Sequence, residues 1–292
     1  MTCNLCPRRC GALRTGESGE GRCRMPALPR VARAALHLWE EPPLSGTRGS
    51  GTVFFSGCCL DCLFCQNEEI SHKDAGKTVT EERLRQICLG LIAQGAHNLN
   101  FVNPTHYAHV LSRLLDEPFP VPVIWNTGGY ERVETLRALE GKVDVYLPDL
   151  KYLSPDLAKA CSGAADYPDF APAAIREMVR QTGRPVFDED GLLKRGTVIR
   201  HLILPGHLAE AKKVMDWVAD TFAPGEVLFS LMSQYTPFGP ARAVPGLDRP
   251  LRASEARSAE AYMAALGLEG FAQEGGAAKE SFIPAFDLTG IE

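Results

Sequence analysis

Between residues 52 and 232 the chain alternates between short β-branched or aromatic runs and longer stretches whose apolar residues recur at helical spacing. The short runs are Thr52–Phe55, Asn98–Val102, Val121–Trp125, Val143–Leu147, Thr197–Leu204 and Val227–Met232. After the first, Leu84, Ile87, Cys88, Leu91 and Ile92 mark one helix face, with Thr80 placed to cap it. Later faces carry Val110, Leu111, Leu114 and Leu115, then Val133, Leu136 and Leu139, then Leu208, Ala211, Met215, Val218 and Phe222. Pro172 suits the first turn of a further helix that ends at Gly183. Asp190-Gly191 predicts a hairpin turn inserted before the fifth strand. Strands separated by helices pair in parallel through right-handed crossovers, so the expected class is α/β with one parallel sheet. Periodicity leaves two forms open, a doubly wound sheet and a partial barrel. In either, ligands collect at the carboxyl ends of the strands.

The polar groups fall where that rule puts them. The strands are followed in turn by Cys58–Cys65, Asn103-Pro104-Thr105-His106, Asn126-Thr127-Gly128-Gly129, Asp149-Leu150-Lys151, Gly206-His207 and Gln234-Tyr235. The net charge of −5 and the lack of a like-charge block give nucleic-acid binding no electrostatic support. No apolar run approaches the ~20 residues of a membrane span, and MTCNLCPRRC lacks the apolar core of a signal peptide. A cytoplasmic location is expected.

Ten cysteines in a chain of 292 residues, seven of them in two tight clusters, favour metal ligation over crosslinking in a reducing compartment. Residues 1–26 form a module with Cys3, Cys6, Cys10 and Cys23, whose glycines suit a loop folded round an ion. Four soft ligands fit a closed zinc site or an iron–sulfur cluster, and spacing does not separate the two. Residues 27–50 read as a connector, 51–250 as the catalytic-type β/α unit, and 251–292 as a C-terminal helix and tail.

In the central cluster Cys59 gives C-x2-C-x2-C, whose ferredoxin-type fourth cysteine would fall on Glu69, whereas Cys58 gives C-x3-C-x2-C. Either way the loop supplies three ligands, which leaves one iron of a cubane open. C-x3-C-x2-C with Phe64 before its last cysteine, placed after the first strand of a β/α chain, resembles the signature of the radical S-adenosylmethionine (SAM) superfamily. CNLCPRRCGA, ALHLWEEPPLSGTRGSGTVFFSGC, FCQNEEIS, VDVYLPDLKY, IRHLILPGH and LMSQYTP narrow the resemblance. In order and spacing they are similar to the uncharacterised homologues of pyruvate formate-lyase activating enzyme.

The resemblance implies a partial (β/α)6 radical SAM barrel behind the N-terminal cysteine module. It implies a [4Fe–4S] cluster on Cys58, Cys62 and Cys65, with SAM chelating the fourth iron through its methionyl amine and carboxylate. Reductive cleavage would then give a 5′-deoxyadenosyl radical that abstracts a substrate hydrogen; the cofactor carries that chemistry and the protein aims it. Cys59 becomes a bystander. Activating enzymes carry Gly-Gly-Glu after the second strand, whereas this chain has Asn103-Pro104-Thr105, so Asn100, Asn103 or Thr105 is expected to meet the amine. Asn126 is a further cofactor contact. Asp149 and Lys151 match the family's Asp-x-Lys and Arg200 its fifth-strand arginine, with Lys151 and Arg200 suited to the carboxylate. His207 is placed near substrate, and Tyr130, Tyr152 and Tyr235 on the rim. The expected partners are a one-electron donor such as flavodoxin or ferredoxin and a protein or peptide substrate, including a glycyl-radical enzyme. A zinc-binding scaffold without catalysis is the competing class.

Overall fold

The structure, a computed structural model, describes residues 2–73, 75–272 and 284–291. The N-terminal module carries an antiparallel ribbon of β1 (Thr2–Cys3) and β2 (Ala12–Leu13). Then β3 (Arg30–His37) leads through α1 (Pro42–Ser45) into β4 (Ser50–Phe55), with which it pairs antiparallel. The stretch expected as a connector is therefore part of the sheet. After α2 (Glu68–Ser71) comes β5 (Lys77–Thr78), which pairs with β3. The alternation follows: α3 (Glu81–Ala93), β6 (Leu99–Val102), α4 (Ala108–Leu114), β7 (Val123–Thr127), α5 (Val133–Arg137) and β8 (Val145–Pro148). It continues with α6 (Pro155–Ser162), α7 (Tyr167–Thr182), β9 (Val186–Phe187), β10 (Leu193–Leu202), α8 (Leu208–Thr221), β11 (Leu228–Met232), α9 (Ala253–Ala265) and β12 (Gly270–Ala272). Among the described residues no helix is long and apolar enough to cross a membrane.

The sheet order is β12-β11-β10-β8-β7-β6-β4-β3-β5, with β9 paired to β10. Along the path β4-β6-β7-β8-β10-β11-β12 the pairings are parallel and run in chain order, while β9 pairs antiparallel with β10. A doubly wound sheet reverses its order at a switch point; this one keeps one order, and among the described residues its edge strands β5 and β12 are not paired to each other.

Side-chain alternation divides the sheet into two faces. Val53, Phe55, Leu99, Phe101, Val123, Trp125 and Tyr146 pack against Leu84, Leu111, Leu136 and Met178 of the covering helices. The Thr80 hydroxyl accepts from Arg83 N at 3.1 Å and caps α3, whose first turn carries Glu81 and Glu82 against the helix dipole. On the other face Leu44 of α1 plugs the amino ends of the strands against Ile124, Val145, Val198 and Leu228. Full burial of one such leucine stabilises by about 1.5–3 kcal/mol. Above that plug the same face turns polar.

Three local expectations change. The helix expected to start at Pro172 starts at Tyr167 with Pro168 in its first turn, so Pro172 lies inside it. Interior proline costs ~3 kcal/mol through the lost hydrogen bond, opposed here by burial of Tyr167, Ala171, Ile175 and Met178. The hairpin turn does form at Asp190-Gly191 (Gly191 φ 76°), but its second arm runs without a break into the fifth strand as β10. The tail contributes β12 as a further parallel strand.

Candidate active site

The inward residues of successive strands build the polar layer: Asn100 on β6, Asn126 on β7, Arg200 on β10 and, just past β8, Asp149 and Lys151. Arg200 Nε donates to Asp149 Oδ1 at 3.0 Å and Arg200 Nη2 to Asn126 Oδ1 at 2.7 Å. Lys151 Nζ donates to Asp149 Oδ2 at 2.6 Å. A residue missed in the sequence joins them: Glu40, just ahead of α1, accepts from Asn100 Nδ2 at 2.8 Å and Asn126 Nδ2 at 3.4 Å. Its other oxygen faces Arg200 Nη1 at 3.6 Å. Neighbouring Glu41 is buried too and adds its field to Arg200. Burial alone, the largest single influence, would lower the pKa of Arg200 and Lys151; Asp149 together with Glu41 and Glu40 at Arg200, and Asp149 together with Cys62 and Tyr167 at Lys151, outweighs it and raises both. Against the upward pull of burial, Arg200 and then Lys151 hold Asp149 below its usual range. Burial raises Glu40 and Glu41 despite Arg200.

The cysteine loop lies over this network. Gly57 turns the chain at φ 84° and its N–H donates to Ile70 O at 2.8 Å. Asp61 N donates to Ser162 O at 3.1 Å and Leu63 N to Cys161 O at 2.9 Å, which ties the loop to α6. Asn103 Nδ2 donates to Cys58 Sγ at 3.1 Å, Cys62 Sγ lies 3.0 Å from Ser162 Oγ, and Cys65 Sγ lies 3.5 Å from Ser71 Oγ. Contact with the Cys59 thiol, helped by the Leu60 N–H and the Lys151 charge, lowers Cys58 to about 7 against its burial. Burial raises Cys62 and pushes Cys65 up to about 12. Phe64 packs at 5.8 Å against Tyr235.

The donor set tests what these thiols suit. A lone zinc ion needs its sulfur ligands ≈ 2.3 Å from one point. Among the described residues no three Cys, His, Asp or Glu side chains converge on such a point, yet Cys58, Cys62 and Cys65 stand within one another's field. Three soft donors from one short loop, beside a lysine, suit an iron–sulfur cluster with one iron left open.

Cys59 does not stand apart, because its thiol touches both Cys58 and Cys6 of the N-terminal module. Arg8 Nε donates to Cys59 O at 2.8 Å and its Nη1 to Gly163 O at 2.7 Å, while Arg22 pairs with Asp61. Cys3 and Cys6 are buried, each within the field of Cys23, whereas Cys10 is exposed.

Thr105 is shared between two groups, lying 3.1 Å from Asn103 Oδ1 as well as beside Glu131. Its hydroxyl is buried and lies 2.6 Å from Glu131 Oε1, which also accepts from Thr127 Oγ1 at 2.7 Å and Trp125 Nε1 at 3.1 Å. Glu131 was a second omission. The three tyrosines expected on the rim are buried, with hydroxyls bonded to Asp166 (Tyr130, 2.7 Å), Ser162 (Tyr152, 2.9 Å) and Leu247 O (Tyr235, 2.8 Å). His207 sits at the amino end of α8. A signal for Glu40 did exist in the sequence: two acids closing an apolar run directly before Pro42-Pro43.

Comparison with known proteins agrees with this geometry. Residues 45–149 match the 4Fe-4S single cluster domain family. The fold resembles SuiB of Streptococcus suis, solved bound to S-adenosylmethionine (TM-score 0.51, 13% identity, 75% of this chain and 48% of SuiB). SuiB has also been solved bound to its precursor peptide SuiA (TM-score 0.52, 12% identity, 75% of this chain and 47% of SuiB). It likewise resembles a radical SAM methyltransferase from Sphaerobacter thermophilus (TM-score 0.50, 14% identity, 77% of this chain and 66% of that one). The chain thus spans about half the length of SuiB. A one-way parallel sheet with a three-cysteine loop at the carboxyl end of β4 is the fold likeness that joins the chain to these SAM-related structures. The chain belongs to the family of MJ0674, an uncharacterized protein of Methanocaldococcus jannaschii. The two are 30% identical over 269 residues, 88% of this chain and 72% of that protein.

Proposed function

We propose that this protein is an enzyme that cleaves SAM reductively at a cluster held by Cys58, Cys62 and Cys65. The observation that carries the reading is Lys151. Its ammonium gives one hydrogen bond to Asp149 and bears on Cys58 and Cys62, which leaves two donors for a carboxylate beside the thiols. The cluster and SAM, bound together there, would supply one-electron cleavage of the sulfonium and hydrogen-atom abstraction. The chain's own residues orient and enclose. Lys151 takes the methionyl carboxylate, and Asp149 fixes the lysine. Arg200, with all its nitrogens turned to Asp149, Asn126 and Glu40, holds Asp149 and Asn126 in place. Asn103 donates to Cys58 and so sets that thiolate's side of the loop. Buried Tyr152 and Ser162 back Cys62 and keep water from it.

A polypeptide hydrogen donor, a glycyl-radical protein included, is the substrate class we carry forward, supported by the activating-enzyme resemblance and by SuiB's peptide-bound form. The second metal centre on Cys3, Cys6, Cys10 and Cys23 belongs to the same proposal. Anaerobic reconstitution with iron and sulfide, then dithionite and SAM, should release 5′-deoxyadenosine from the wild type and none from Cys62→Ala. Failure of the wild type would leave the zinc-scaffold reading. Deuterium transfer into 5′-deoxyadenosine from candidate peptides tests the substrate class.

A further inference from the structure

We propose that the exposed arginines of the N-terminal module form the docking face for an acidic one-electron carrier protein; this rests on the function proposed above. Charge is the first support. Residues 1–26 hold five arginines against two glutamates, a net of +3 in a chain of −5, so the remaining residues carry −8. Position is the second. The module lies on the cysteine loop through Arg8 and Cys59 and through Arg22 and Asp61. A Cβ at Gly163 would lie 3.7 Å from Arg22 Nη2 and 4.0 Å from Arg8 Nη2, so two guanidinium groups meet over the end of α6. Arg22 and Arg24 both reach the neighbourhood of His72, seven residues past Cys65. Among the described residues Arg9 and Arg24 are exposed with no carboxylate at ion-pair distance. The glutamates, Glu17 and Glu20, sit on a separate turn.

Backbone conformation is the third support. Arg9 and Arg24 hold φ of 42° and 57°, a region that favours glycine. Glycine would suit the backbone better at both positions, so what the arginines offer lies in their side chains. A cationic face beside the thiols both steers an anionic protein and brings its redox group close to the acceptor.

The test compares two reductants, with chemically reduced flavodoxin as the carrier and dithionite as the small one. The double variant R9E/R24E keeps side chains of the same backbone class. Carrier-driven formation of 5′-deoxyadenosine should fall by roughly tenfold or more at low ionic strength, with the dithionite-driven rate within about twofold of wild type. The wild-type carrier rate should fall as salt rises; a rate indifferent to salt, or to the charge reversal, overturns the proposal. Calorimetric titration of the reconstituted wild type with oxidised flavodoxin reads docking without catalysis. Salt-sensitive binding lost in R9E/R24E upholds the docking face even if dithionite yields no cleavage, and equal binding by both proteins removes it.

Discussion

Lys151 and Arg200 are both cations on Asp149, and the geometry assigns them opposite roles that one pair of substitutions separates. In K151M, Asp149 keeps the Arg200 Nε bond at 3.0 Å, so no buried charge is stranded. What goes is the group turned to the thiols. A hydrogen bond to a charged partner contributes about 1.5–3 kcal/mol, so SAM should bind roughly 10- to 150-fold more weakly while the unfolding midpoint shifts little. In R200M the reverse holds. Asp149 and Glu40 lose the guanidinium between them, and both side chains are largely buried, 15% and 10% exposed. Breaking a buried pair by removing one partner costs about 3–5 kcal/mol, which urea titration should register. SAM affinity is read by equilibrium dialysis on reconstituted protein. If K151M binds SAM as tightly as wild type, or if it is the less stable of the two, the division of labour is wrong.

Glu131 has no cation beside it and its pKa is raised by burial, against hydrogen bonds from Thr105, Thr127 and Trp125. The unfolded carboxyl therefore ionises first, so stability is fully present below the unfolded value of about 4.3 and is lost as pH rises through the folded value. E131Q should remove that loss, gaining on wild type in urea melts at pH 8 relative to pH 4. Gly129→Ala should cost at least ~2 kcal/mol, because a Cβ there would lie 2.8 Å from Tyr167 Oη and overlap the Asp149 carbonyl at φ 78°. Since Asp149 moves with it, SAM binding should weaken as well. Arg24→Gly relieves a left-handed backbone and should raise stability by about 1 kcal/mol in thermal melts, yet slow carrier-driven reduction; slower dithionite-driven cleavage would point instead to damage at the loop.

The strand ends were legible in the sequence because a parallel sheet sends every carboxyl end to one side, so Cys58, Asn103, Asn126, Asp149 and Arg200 could be gathered without coordinates. Glu40 could not be gathered that way. It reaches the polar layer from the opposite end, just past β3, a strand whose period-two signal is broken: the register slips between Val31 and Arg33, and both Val31 and Ala32 are buried. The bulge hides β3, and with β3 the reason why α1 and its two acids lie inside the sheet. Thr105, bonded to Asn103, is also drawn to Glu131, for a different cause. Strand-end position fixes which side of the sheet a residue joins, but a buried carboxyl such as Glu131, with no cation to satisfy it, draws every nearby hydroxyl donor. Pro172 misled because two prolines compete for a helix start and the earlier one, Pro168, prevailed.

The boundary at residue 26 marks a change of composition and not an independent unit. A Cβ at Gly57 would overlap the Met25 side chain and lie 3.0 Å from Cys23 O, so the module's backbone rests on the residue that turns the chain into Cys58. Arg14, buried, reaches from the module to His106 O at 2.5 Å, and Arg132 Nη1 and Thr135 Oγ1 return to Asn4 O and Leu5 O at 2.5 and 2.7 Å. Without the module Arg132, Thr135, the His106 carbonyl and the Cys59 carbonyl would lose these partners together, and each such group left buried and unpaired costs about 1–3 kcal/mol. The path of the loop through Cys58 is therefore set from two sides, by Asn103 within the sheet and by the module outside it. The Cys59 thiol completes the link, since it meets Cys58 of the loop and Cys6 of the module.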